Sequence, residues 1–157
     1  MPTREDLFVA KLKADPTMVS LAPGGIYTDE EIGLEGIHRG ADSNTDAAFD
    51  EKGRLKTCIV VRQTAVTPFN NVRSQKDKMV ATVQRVEVYF YQHRGQDEVD
   101  AAKLRAYEVL EGERLIGTYT LTWLGESPFY YDVGPVANST TLRQDWQVVG
   151  TRKPGTT

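Results

Sequence analysis

At 157 residues, with 39% hydrophobic and 26% charged side chains, the chain has the size and balance of one soluble globular domain. Its net charge of −3 argues against a general nucleic-acid binder, and its single cysteine, Cys58, excludes an internal disulfide and a cysteine-built zinc centre. No stretch reaches the ~18 apolar residues of a membrane span, and the opening MPTREDLFVAKLKAD lacks the apolar region of a secretory signal, so synthesis and folding in a cytoplasm are expected.

Thr3 with Asp6 three residues on resembles a capping box, which predicts a helix from Arg4 with Leu7, Phe8, Lys11 and Leu12 along one side. Asp15-Pro16 ends it, because the residue before a proline is pushed out of the helical region. Pro16 opens a second short helix capped by Asp15, with Val19 and Leu21 facing inward. Ala22-Pro23-Gly24-Gly25 is a break, and Gly25-Ile26-Tyr27 begins a short strand.

Residues 28–54 are irregular and acidic, with Asp29, Glu30, Glu31, Glu35, Asp42, Asp46, Asp50 and Glu51 against Arg39, Lys52 and Arg54. A loop beyond about 12–15 residues is usually functional or disordered, and this one is expected to protrude and to become ordered only against a partner. Cys58-Ile59-Val60-Val61 is a short apolar run of the kind found in central strands. Residues 65–78 follow as a second long loop, basic through Arg73, Lys76 and Lys78, or as the arm of a β-hairpin.

From Val80 the period is two. Val86, Val88 and Phe90 share one face of a strand, and Arg85, Glu87, Tyr89 and Tyr91 share the other. After Gly95 the period becomes helical, with Val99, Ala102, Ala106 and Val109/Leu110 on one side and Gly112 as the left-handed residue past the helix end. Leu115–Trp123 reads as a strand with Leu115, Tyr119, Leu121 and Trp123 on one parity. Residues 125–137 form a loop, and Thr140–Gly150 is a last strand with Leu142, Gln144, Trp146 and Val148 on one face. The expectation is one α+β domain over residues 1–150. It has a mainly antiparallel sheet of four to five strands, an N-terminal and a central helix, extended loops at 28–54 and 65–78, and a mobile tail at 151–157.

Candidate chemistry is sparse. Asp42, Asn44, Asp46 and Asp50 match the first, third, fifth and ninth positions of an EF-hand loop. Ala47 stands where the sharp turn needs glycine, however, and Gly53 where the bidentate glutamate belongs. Cys58 and His93 are the residue types of a thiolate–imidazole pair, but a cysteine inside an apolar strand behaves as a small hydrophobe. His38 has no second histidine near it in sequence, and no phosphate-binding glycine motif or nucleophile elbow is present. Tyr89 and Tyr91 beside Arg85 have the make-up of a base-stacking platform, with packing beneath a helix or in a subunit contact as the other readings. The opposite charges of segments 28–54 and 55–95 suit subunits that associate, acidic segment to basic.

The order of elements resembles the tail terminator (tail completion, minor tail) proteins of long-tailed bacteriophages. The resemblance runs through the N-terminal helix leading into Ala22-Pro-Gly-Gly-Ile-Tyr27, the strands Cys58–Val61 and Gln84–Tyr91, the helix Asp97–Glu111 and the strand Gln144–Val149. It implies a non-catalytic virion subunit without cofactor or metal, assembled in the host cytoplasm. Six copies would form a ring that ends tail-tube growth and meets the head connector, with DNA passing through the lumen only as cargo. Partners would then be further copies of the chain, the tail tube protein and the head completion protein, with another neck protein as the variant reading. A monomeric nucleic-acid- or calcium-binding module is the alternative from a different class. Asp29, Glu30, Glu31, Glu35, Asp42, Asp46, Arg73, Lys76, Lys78, Tyr89 and Tyr91 are the candidate contact residues.

Overall fold

The computed structural model describes residues 3–73, 80–115, 118–131 and 138–152. Helix α1 (Arg4–Lys13) starts at the expected capping box, with Thr3 and Asp6 satisfying each other's backbone N–H groups. Helix α2 (Pro16–Leu21) is capped by the Asp15 carboxylate on the Met18 N–H at 2.9 Å. Its inward residue is Met18, which is fully buried, whereas Val19 faces out. After strand β1 (Ile26–Thr28) come helix α3 (Asp29–Ile32) and a 3₁₀ turn at Asp46–Ala48. Strands β2 (Cys58–Arg73) and β3 (Val80–His93) lead to helix α4 (Asp97–Leu110), followed by β4 (Thr118–Glu126), β5 (Tyr130–Tyr131) and β6 (Ser139–Arg152).

Among the described residues the sheet has six strands, in the order β1-β2-β3-β6-β4, with β5 also paired to β6. Only the β1–β2 pair is parallel. The fold is therefore α+β with a mainly antiparallel sheet, one strand larger than expected. β2 runs as strand to Arg73 and pairs with β3, so residues 65–73 are strand where a loop or a hairpin arm was expected, and residues 74–78 lie outside the described residues. β6 runs two residues into the expected tail.

Period-two alternation gives the sheet two unlike faces. Ile59, Val61, Val86, Val88, Phe90, Leu121, Leu142, Trp146 and Val148 meet Phe8, Leu12 and Met18 of the first two helices and Val99, Ala102, Ala106 and Leu110 of α4. Three buried glutamines, Gln84, Gln92 and Gln144, sit in this layer with their amides satisfied. Gln144 accepts from Trp146 Nε1 at 2.9 Å, and Gln92 accepts from the Val99 N–H at 2.7 Å, supplying an acceptor at the start of α4.

The opposite face is covered over β1–β3 by residues 29–57. Ile37, Ala48 and Leu55 are buried on Cys58 and Val60, with Tyr27, Ile32, Phe49, Tyr89 and Tyr91 packed around them. The acidic segment is thus a docked lobe. The expectation of a protrusion ordered only by a partner is corrected, because sparse apolar residues far apart in sequence converge on the outward side of Cys58-Ile-Val-Val61. Four consecutive buried residues in β2 are the result. Gly24 fits closely under this junction: a Cβ there would lie 2.8 Å from the carbonyl oxygens of Lys56 and Thr57.

Candidate assembly interface

Thr28 caps α3 in a second capping box, with Glu31 as the returning carboxylate. From there Glu30, Glu31, Glu35 and Asp42 line one open hollow together with Leu34 and His38. Leu34 stands fully out in solvent at 108% relative exposure. His38 Nε2 lies 3.1 Å from the Glu35 carboxylate, and its Nδ1 lies 2.8 Å from the Gly36 carbonyl oxygen. The sequence signal for this hollow was the run of acids. Leu34 carried no such signal, since only the folded lobe shows that its side chain has no cover.

The remaining candidate acids serve the lobe itself. Asp46 accepts the Gly40 N–H at 2.9 Å, and Asp50 accepts the N–H groups of Lys52 and Arg54, each at 2.9 Å. Asn44 donates to the Glu31 carbonyl. These side chains tie loop turns, and no group of three or more potential metal ligands converges among the described residues. Asp29 approaches Arg62 at 3.8 Å. Arg54 and Lys52 neighbours hold the Asp50 carboxyl below its usual range, first through the Arg54 backbone bond.

Tyr89 and Tyr91 lie where parity put them, on the face away from the helices, and stack with ring centroids 6.2 Å apart. They are half-buried against the lobe, and Tyr89 donates to Glu87 at 2.7 Å. Burial raises the Tyr91 hydroxyl above its ordinary range. Beyond them the lobe stops. The uncovered part of this face carries Arg85, Glu87, Arg143 and Asp145, with Arg143 Nε 3.0 Å from Asp145 and 3.7 Å from Glu87. Glu87 and Asp145 are cross-strand partners, so Arg143 sits between two acids that would otherwise repel. Cys58 pairs with Tyr91 in the ladder, and burial pushes its thiol up to about 12, which removes the thiolate a Cys58–His93 pair would need.

On the basic side, Arg73 ends β2, and the ladder sets Arg73 and Arg152 on either side of Val80. Lys76 and Lys78 lie outside the described residues. On the helix side, Tyr107 of α4 meets Trp123 of β4 edge-on at 5.6 Å, and both are partly exposed beside Leu104.

Both sheet edges are closed at specific points. On β4, Leu121 donates its N–H to the Glu113 carbonyl at 2.8 Å and Trp123 donates to the Glu111 carboxylate at 3.2 Å. On β2, Gln63 donates to the Glu5 carboxylate at 3.3 Å, just past the end of β1.

No protein-family model and no curated protein sequence matches the chain. Among solved structures, its fold is similar to that of a chain in the virion of a native gene transfer agent (GTA) particle. The TM-score is 0.61, over 94% of each chain, at 11% identity. At that identity the likeness is one of fold, and it runs nearly end to end.

Proposed function

We propose that the chain is a structural virion subunit that forms a ring at a head–tail junction, ending tail-tube polymerisation and joining the tail to the head connector. The observation that carries this reading is the end-to-end fold likeness to a chain of a virion particle. The surface supports it. A hollow lined by Glu30, Glu31, Glu35 and Asp42 lies on a lobe that the chain docks on one side of its sheet. Arg73 ends β2, and Lys76 and Lys78 follow it in sequence before β3 begins at Val80. A hairpin end meeting the lobe of the next copy is a heterologous contact, which closes into a ring when the rotation permits. Six copies, the tail tube protein and the connector protein complete the assembly, and DNA is cargo in its lumen. Tyr89 and Tyr91 enter as the floor under the lobe.

Charge reversal tests it. Glu30→Lys with Glu31→Lys is expected to abolish rings seen by light scattering on purified tail tubes. Adding Lys76→Glu with Lys78→Glu to the same chain is expected to restore them. A wild-type chain that stays monomeric and fails to bind tubes overturns the proposal.

A further inference from the structure

The two edge strands share a property that makes them dangerous. Residues 115–125, which include most of β4, carry no charge, and neither do residues 63–72 of β2. Uncharged, β-prone segments at a sheet edge are templates for strand addition by another chain. Among the described residues, β2 has a neighbour on its outer side only at Ile59, Val60 and Val61.

The groups that close these edges sit where a carboxylate is disfavoured, Glu111 by the end of its helix and Glu5 by burial. Glu111 follows the last turn of α4, where the helix carbonyls already present negative charge and no basic residue balances it. Glu5 lies on the apolar stripe of α1 with Phe8, Val9 and Leu12, at 5% exposure, and burial raises its carboxyl above the usual range. Each nevertheless accepts an outward N–H of an edge strand, Trp123 and Gln63 respectively. Pro68 adds a third block. Its partner Thr82 is in step with Val86 and Gln84 on β3, so Pro68 takes the same outward phase as Gln63, where the missing N–H removes no bond to β3, and a register shift follows it before Arg73. Register shifts within β4 bend that edge further.

We propose that Glu111 and Glu5 are edge locks, whose carboxylates occupy the outward N–H groups of Trp123 and Gln63 and keep the sheet of one copy from adding a strand of a second copy. Association is thereby left to side-chain surfaces. The lock holds for this chain whether or not it is a virion subunit.

The test compares Glu111→Ala with Glu111→Gln, whose amide oxygen still accepts. In Glu111→Ala, the Trp123 amide is expected to exchange at least ~10-fold faster and the protein to form concentration-dependent, dye-binding assemblies beyond the wild-type mass. Glu111→Gln is expected to keep both properties of the wild type. A lysine on the same strand, Thr122→Lys, is expected to suppress the association of Glu111→Ala, because edge charge opposes strand addition. Unchanged Trp123 exchange in Glu111→Ala overturns the proposal. So does faster exchange without new association, or association indifferent to Thr122→Lys. If Glu111→Ala fails to fold, Glu5→Ala is read in the same way at the Gln63 amide.

Discussion

The lobe is held on the sheet by few residues, and that sets a ceiling on what mutations within it can cost. Its fully buried large aliphatic anchors are Ile37 and Leu55, each 4% exposed. Truncating either to alanine should cost ~2–4 kcal/mol, the usual range for a buried aliphatic side chain. Together the two anchors contribute roughly 3–6 kcal/mol of apolar transfer, so the double variant Ile37→Ala/Leu55→Ala exhausts most of the lobe's hold. Once the lobe is off, further truncation has nothing left to remove. The double variant is therefore expected to lose less than the sum of the singles. By contrast, Ile37→Ala combined with Leu142→Ala, on the helix side, should be additive within ~0.5 kcal/mol. Urea unfolding followed by tryptophan fluorescence measures this, since Trp123 and Trp146 both lie on the helix side. In the double variant, amides of residues 29–57 should exchange almost unprotected while Val88 and Leu142 remain protected. Full additivity of Ile37→Ala and Leu55→Ala, with an unchanged denaturant slope and protected lobe amides, refutes the reasoning.

Two further outcomes follow from the helix layer. The folded-state Glu5 carboxyl is raised, first by burial, so its contribution to stability is complete below the unfolded value and is lost as pH rises through the folded value. Glu5→Gln is accordingly expected to gain on the wild type between pH 4 and pH 7 in urea midpoint, and the opposite trend counts against the assignment. Gln92→Leu leaves the Val99 N–H buried without its acceptor and should cost ~1–3 kcal/mol; an unshifted midpoint and unchanged Val99 exchange would show that the bond is dispensable.

The sequence carries the helix side of this molecule well because the information there is local. Val86, Val88 and Phe90 repeat every second residue, Val99, Ala102 and Ala106 repeat on one helical face, and the structure buries each of them. The lobe is another matter. Ile37, Ala48 and Leu55 have no common period, and their convergence depends on Cys58 and Val60 turning outward from a strand whose neighbours turn inward. The Thr28–Glu31 capping box was the local signal for α3. The length of β2 was hidden by Pro68, Asn70 and Asn71, which read as turn residues but lie within a strand. Val19 was read inward where Met18 is, since six residues of helix leave the phase poorly determined. Of the candidate contact residues, the acids of the hollow were legible as a charge run. The roles of Glu5 and Glu111 were not, because each depends on a strand far away in sequence. An acid just past a helix C-terminus is the one local sign that something distant holds it.

The lobe also bears on chemistry that the chain otherwise lacks. Cys58 is fully buried beneath it, and burial keeps the thiol protonated up to about 12. Stripping residues 33–50 away would uncover that sulfur together with Val60 and Tyr27, giving each chain one reactive thiol on an apolar patch. Such a chain would cross-link into disulfide dimers in air. A deletion that impaired assembly would then report oxidation as much as a lost contact. The lobe therefore shields the single thiol from oxidation, and substitutions at its exposed rim leave that protection in place.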